Sequence, residues 1–272
     1  MKLSQLLFIE LAVAHSTSPF LVFLMTTQQQ HLSICFGFAV LNEEIDLPRC
    51  LSSVRSQDYP QDKVEIILAD GGSTDRTVEI GKQFGCKVLP NPLIRAEPGA
   101  VLAHSKSNAD VRVFFAADNV LPHKNWIKDM VQPFIEEPDL IATYTHISTP
   151  EYDNSLNKYY SFLHVEPFTW FVYGSACNPL KFDRVFPTLK KSNFYRIYEF
   201  NSFNHPLIAL AQGFCVRRSF NRESYNHEDD IIPVIQMIEE KQKIAYVPSA
   251  GIYHFHLAGL MDFVKKYNLA DL

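Results

Sequence analysis

The chain has 272 residues, 47% of them hydrophobic and 20% charged, with a net charge of -5. That supplies the core of one large α/β domain or two small ones, and it excludes the basic face of a nucleic-acid binder and any like-charge tail. Five dispersed cysteines without a C-x-x-C pair point to buried free thiols in a reducing compartment rather than to a disulfide framework or a zinc site.

Residues 1–31 read as a leader or a loosely attached segment. Lys2 precedes the apolar runs Leu6–Ile9 and Leu11–Ala14, as in a secretory leader. Glu10, His15 and Pro19 make the stretch a poor membrane span, and Met25 is an alternative start. No later segment is long and apolar enough to span a bilayer, which favours a cytoplasmic protein.

Leu32–Leu41 reads as a buried first strand closed by Asn42-Glu43-Glu44. A helix over about Leu47–Gln57 follows, with Asp46 as its cap and Pro48 in its first turn. The strand Val64–Ala69 runs into Asp70-Gly71-Gly72-Ser73-Thr74-Asp75 and a helix, Thr77–Phe84, stopped by Gly85. Ser73 or Thr74 can cap that helix. Cys86–Leu89 is a short strand and Pro98–Ser107 a helix of small residues. The strand Val111–Ala117 ends in Asp118-Asn119. Trp126, Ile127, Met130, Val131 and Phe134 mark the core face of another helix, and Leu140–Ile147 is a fifth strand. This strand-helix rhythm predicts an open, doubly wound, mostly parallel sheet with helices on both faces.

Between Thr149 and Pro206 the rhythm fails. Tyr152, Tyr159, Tyr160, Phe162, Phe168, Trp170, Phe171 and Tyr173 crowd one stretch. It reads either as an irregular cover on the sheet or as an acceptor-binding surface, since aromatic faces suit sugar rings and lipid tails. Order returns at Gln212–Arg218. His227-Glu228-Asp229-Asp230 opens a helix with Ile231, Val234, Ile235 and Ile238 at core spacing; acids there also suit a first helical turn. A strand, Ile244–Pro248, precedes Ile252-Tyr253-His254-Phe255-His256, whose alternation puts both imidazoles on one strand face. A closing helix carries Leu260, Phe263, Val264 and Tyr267, and Lys265 and Lys266 beside that apolar face point to a peripheral membrane contact.

In a parallel sheet buried on both faces, ligands bind outside the carboxyl ends of the strands. The acids at strand and helix ends are Asp70 and Asp75, then Asp118, then Glu228 and Asp229. In order and spacing the chain resembles the family 2 glycosyltransferases, inverting enzymes of the GT-A fold. Ala39-Val40-Leu41-Asn42-Glu43-Glu44 matches their opening pattern. Cys50–Pro60 is similar to their helix signature ending in Q-x-Y-P, Asp70–Asp75 to their D-G-S-T-D turn, and Glu228-Asp229 to their acidic pair before a helix. The match is strong over about residues 33–130 and moderate over 212–266.

The resemblance implies a domain over 32–272, with a nucleotide-sugar half at 32–148 and an acceptor half at 149–272. It implies a UDP- or GDP-type donor, a glycan or glycolipid acceptor, and Mg²⁺ or Mn²⁺ at the departing diphosphate. Family members carry Asp-x-Asp at the fourth strand; here the triplet is Ala116-Ala117-Asp118, so the first acid is missing and Asp118 is the implied metal ligand. His254 stands where some members have a histidine reaching metal or diphosphate, although a lone histidine beside aromatics is more often a structural one. Donor binding carries onto Glu43, Asp70, Asp75 and Arg95, of which Arg95 also reads as a surface charge and Asp75 as a first-turn acid. The implied base is Asp229, with Glu228 or Asp230 as alternatives.

Competing readings are weaker. A sugar-nucleotide pyrophosphorylase, a dehydrogenase or a Rossmann methyltransferase needs a Gly-rich loop after the first strand, where this chain has Asn42-Glu43-Glu44. A non-catalytic nucleotide-binding relative, acting as a scaffold or accessory subunit, is favoured by Ala116 alone.

Overall fold

The computed structural model describes residues 31–164, 167–211, 213–220, 230–261 and 264. The leader, Glu228, Asp229, and most of the closing helix with Lys265 and Lys266 lie outside the described residues. The architecture below is that of Leu32–Leu272.

The chain order begins β1 (Ile34–Val40), α1 (Leu47–Arg55), β2 (Val64–Asp70), α2 (Thr77–Gln83), β3 (Lys87–Pro90), α3 (Ala96–Ser105) and β4 (Val111–Phe114). It continues through β5 (Asn119–Val120), α4 (Trp126–Glu136), β6 (Leu140–Tyr144), β7 (Ile147–Ser148), α5 (Ser155–Leu163) and α6 (Pro167–Tyr173). After two 3-10 turns come β8 (Thr188–Lys191), β9 (Arg196–Tyr198), β10 (Cys215–Arg217), α7 (Ile232–Glu239), β11 (Lys243–Tyr246) and β12 (Ile252–His254).

A nine-stranded sheet has the order β3-β2-β1-β4-β10-β6-β11-β9-β8, and a three-stranded sheet the order β5-β12-β7. In the large sheet β1 lies parallel to both β2 and β4. β10 is wedged antiparallel between β4 and β6, and β9 runs antiparallel to β11 and β8. Every other described strand of that sheet shares one direction, so the sheet is mostly parallel.

Alternation along β1 and β2 assigns the layers. Phe36 and Ile66 face α1, α2 and α4 in a core with Leu51, Ile80, Trp126 and Met130. Cys35 and Ile67 face Ala103 of α3 on the other side. Val234, Met237 and Ile238 of α7 close a third cluster with Tyr144 and Phe214. Helices therefore cover both faces, and all five cysteines are free, four of them buried.

Four local expectations need correction. Asp46 stands at the N-cap position of α1, but its carboxylate accepts no helix amide and turns instead to the Arg49 guanidinium at 2.6 Å. Neither Ser73 nor Thr74 caps α2. The N-cap residue is Arg76, and the amide of Thr77 is taken up by the preceding Asp75 through Oδ1 at 2.9 Å. Residues 149–206 are not irregular, because they form α5, α6 and the β8–β9 hairpin that extends the sheet. The strand expected over 111–117 stops at Phe114 and the one expected over 140–147 stops at Tyr144; the short strands that follow them, β5 and β7, join the small sheet.

Candidate functional site

Glu43, Asp70 and Asp118 follow the carboxyl ends of β1, β2 and β4, which are neighbours in the sheet. The first two belong to turns that lock together. Asp70 accepts the amides of Gly72 (3.1 Å) and Ser73 (3.1 Å) and the Ser73 hydroxyl (2.5 Å). Gly72 sits at φ +97, a conformation that only glycine adopts without strain. Asn42, at φ 57, donates its amide to Ser73 Oγ (2.9 Å) and accepts the Thr74 amide on Oδ1 (2.9 Å).

Asp75 completes the lock. Its carboxylate accepts the Thr77 hydroxyl (2.5 Å) and the Glu44 amide (3.1 Å), while Thr77 Oγ1 accepts the Glu43 amide (2.7 Å). Desolvation pushes the Asp75 carboxyl up, but the Thr77 hydroxyl and the amides of Thr77 and Glu44 outweigh it and hold the group below the usual carboxylate range. Asp75 thus shapes the turn with both oxygens engaged. Arg95 is exposed at the start of α3, where its carbonyl accepts Asn91 Nδ2 at 3.0 Å. The preceding Ile94 stands at φ 62 against Gly71, an uncommon conformation for a β-branched residue.

Asp118 owes its surroundings to the small sheet. β12 pairs antiparallel with β5, setting His254 opposite Asn119. The Phe255 amide donates to the Asp118 carbonyl at 3.0 Å. The side chains on either side of Phe255, His254 and His256, then fall on the Asp118 side, while the Phe255 ring lies under the Arg49 guanidinium 3.5 Å away. His254 Nε2 is 3.2 Å from Asp118 Oδ2, and both side chains keep about a quarter of their surface open (27% and 25%). The two imidazoles are 5.1 Å apart. Each of Asp118, His254 and His256 offers one ligand atom, all within 4.8 Å of one another. A carboxylate with imidazole nitrogens suits a divalent first-row ion.

Helix α5 fixes this segment from outside. The buried Asn157 donates to the His254 carbonyl (2.7 Å) and to Asp153 (2.6 Å), and accepts the Leu257 amide (3.0 Å). Tyr160, one turn further along, stacks on His256 with ring centres 5.9 Å apart. Beneath the site, burial pushes the Cys50 thiol up, and the charges of Asp118, then Cys86 and Glu43, add to it. Cys50 therefore lies within electrostatic reach of both Asp118 and Glu43.

Asp230 is the one acid of the Glu228-Asp229-Asp230 run among the described residues. It lines a cavity of about 70 Å³ with Ala39, Glu97 and Ala116. Sequence reasoning missed Asn157 and named Tyr160 only as one of the aromatics of the 149–206 stretch. Only the His254-x-His256 alternation hinted at a second imidazole. On the outer side of α5 and α6, Tyr159, Phe162, Phe171, Val172 and Tyr173 are exposed.

Residues 37–223 match the family model described as glycosyl transferase family 2. The chain is 27% identical over 144 residues to "Glycosyltransferase AglE" of Haloferax volcanii, covering 47% of this chain and 44% of that protein. It is 27% identical over 110 residues to a Methanococcus voltae protein named dolichyl N-acetyl-alpha-D-glucosaminyl phosphate 3-beta-D-2,3-diacetamido-2,3-dideoxy-beta-D-glucuronosyltransferase, covering 36% and 34%. The chain spans less than half the length of either relative. Its fold is similar to that of the mannosyltransferase PcManGT from Pyrobaculum calidifontis, solved in complex with GDP-Man and Mn²⁺. The TM-score is 0.55 at 14% identity, over 92% of this chain and 68% of that one. The family match covers more than half of the sequence, in the order its motifs led one to expect, and the chain belongs to glycosyltransferase family 2.

Proposed function

We propose that the protein is a metal-dependent inverting glycosyltransferase that moves a sugar from a UDP- or GDP-type donor to a glycan or glycolipid acceptor. The observation that carries this is the Asp118–His254 pair, held by the small sheet beside the strand ends that bear Glu43 and Asp70. In this reading Glu43 and Asp70 border the nucleoside, Asp75 keeps their two turns in register, and Arg95 offers a positive charge to the donor. Asp118 and His254 hold Mg²⁺ or Mn²⁺, which when bound neutralises charge on the diphosphate leaving group.

The acceptor hydroxyl attacks the anomeric carbon as the bond to the diphosphate oxygen breaks. Its proton passes to a carboxylate, Asp229 by resemblance, with Glu228 and Asp230 as alternatives. One displacement from the face opposite the leaving group inverts the anomeric centre. A glycolipid acceptor draws support from the dolichyl phosphate in the Methanococcus relative's name and from the exposed aromatics of α5 and α6. A peripheral membrane contact through this aromatic face and the closing helix fits such an acceptor. Among the described residues, no helix is long and apolar enough to cross a membrane.

A thermal-shift panel of nucleotide sugars, with and without Mn²⁺, tests the reading. One donor should stabilise the protein only with metal, and its transferred sugar should show the opposite anomeric configuration by NMR. Retention of configuration would refute the single displacement. Ala116 favours one second reading, a relative that binds nucleotide without transfer; metal-dependent binding with neither transfer nor donor hydrolysis across the panel would establish it.

A further inference from the structure

The Asp118–His254 pair leaves one neighbouring group outside the proposed mechanism, the His256 imidazole. We infer that His256 is a third protein ligand to the ion, and that this Asp-His-His set makes the site select an imidazole-binding first-row ion, such as Mn²⁺, Co²⁺ or Zn²⁺, over Mg²⁺. The inference rests on the metal-dependent reading above and refines which ion that reading requires.

Three observations carry it. The ligand atoms of Asp118, His254 and His256 all lie within 4.8 Å of one another. Two bonds of about 2.1 Å from one ion span at most about 4.2 Å, so a small adjustment of the side chains brings all three atoms to ligating distance. Second, the backbone between the histidines is fixed from both sides. Phe255 N–H is held by the Asp118 carbonyl, and Asn157 holds the His254 carbonyl and the Leu257 amide. Strand alternation then commits both imidazoles to the carboxylate side. Third, Tyr160 stacks on His256 at 28° between ring planes, limiting its rotation. A ring held in this way loses little freedom on ligation.

Two nitrogen donors change the chemistry of the site. Mg²⁺ prefers oxygen ligands in strict octahedral geometry and retains its waters, whereas first-row transition ions, Mn²⁺ the weakest of them, bind imidazole nitrogen more readily. A site built from one carboxylate alone would leave Mg²⁺ competitive; two imidazoles do not.

The test is binding of Mn²⁺ to the full chain, alone and with UDP or GDP, read by pulsed EPR for nitrogen couplings and by calorimetry for affinity. The unmodified chain should show couplings from two imidazoles, and Mg²⁺ in large excess should fail to displace the ion. His256→Ala should lose one coupling and weaken Mn²⁺ binding by roughly ten-fold or more. Tyr160→Leu, which keeps both ligands, should retain both couplings and weaken binding less. Unchanged couplings and affinity in His256→Ala, with Asp118→Ala losing the ion, would overturn the role of His256 while leaving the metal-dependent reading standing. No Mn²⁺ binding by the unmodified chain with either nucleotide would overturn both.

Discussion

Asn157 is the residue on which the geometry of the histidine segment depends most, and Asn157→Ala is the sharpest structural perturbation. The side chain is fully buried, and it satisfies the Leu257 amide and the His254 carbonyl. Truncation leaves both backbone groups without that partner in a dry environment, at about 1–3 kcal/mol each, or about 3 kcal/mol together. For a domain of this size that corresponds to a melting temperature lower by about 6–12 °C. The variant should also bind Mn²⁺ roughly ten-fold more weakly, because the backbone that aims His254 and His256 then loses its hold on the α5 side. Differential scanning calorimetry and Mn²⁺ titration measure the two effects. Asn157→Asp keeps the acceptor for Leu257 but sets a buried carboxylate against Asp153 and the His254 carbonyl, so it should be no more stable than the alanine variant. A melting point within about 2 °C of the unmodified chain, with unchanged Mn²⁺ affinity, would refute the clamp.

Other outcomes follow from the same geometry. Asp229→Asn should abolish transfer while retaining donor binding, measured by product formation and calorimetry; normal turnover would shift the base to Glu228 or Asp230, which the matching variants would separate. Gly72→Ala should cost about 1 kcal/mol in urea unfolding, because φ is +97 there while the added methyl meets nothing within 4 Å; an unchanged midpoint would contradict the strain argument. Burial depresses His146 and His164 to about 4. Both are neutral in the fold, while the unfolded chain takes up protons near pH 6.5. Their contribution is therefore complete above pH 6.5 and is lost as pH falls towards 4, by about 1–2 kcal/mol each at pH 5. His164→Asn, which suits the left-handed end of α5 (φ 67), should flatten that pH slope in denaturant unfolding; an unaltered slope would remove His164 from the account.

The first half of the fold was legible because its signals are local. Apolar runs ending in Asn42-Glu43-Glu44 and Asp70–Asp75 mark strand exits, and Gly85 marks the end of α2 at φ +69. The capping of α2 was misread because two partners compete for Ser73, whose hydroxyl bonds to Asp70 while receiving the Asn42 amide. Neither partner is visible in the local pattern. β10, three residues long, carries no periodic signature that would announce its antiparallel place between β4 and β6. Asp118 was identifiable from its position after an apolar strand. Its partner His254 lies far along the chain and reaches it only through β12 pairing with β5, two very short strands. The aromatic stretch misled for a related reason: Tyr159 and Phe162 of α5 and Trp170 to Tyr173 of α6 are exposed, so apolar residues stand where a surface helix normally shows its polar face.

The most direct measurement is the affinity of the unmodified chain and of Asp118→Ala for UDP and GDP, by calorimetry with and without Mn²⁺. The account predicts that one nucleotide binds the unmodified chain far more tightly with Mn²⁺ than without it, and that Asp118→Ala, still folded by its melting curve, loses that difference. Equal affinities in the two proteins at saturating Mn²⁺ would contradict it.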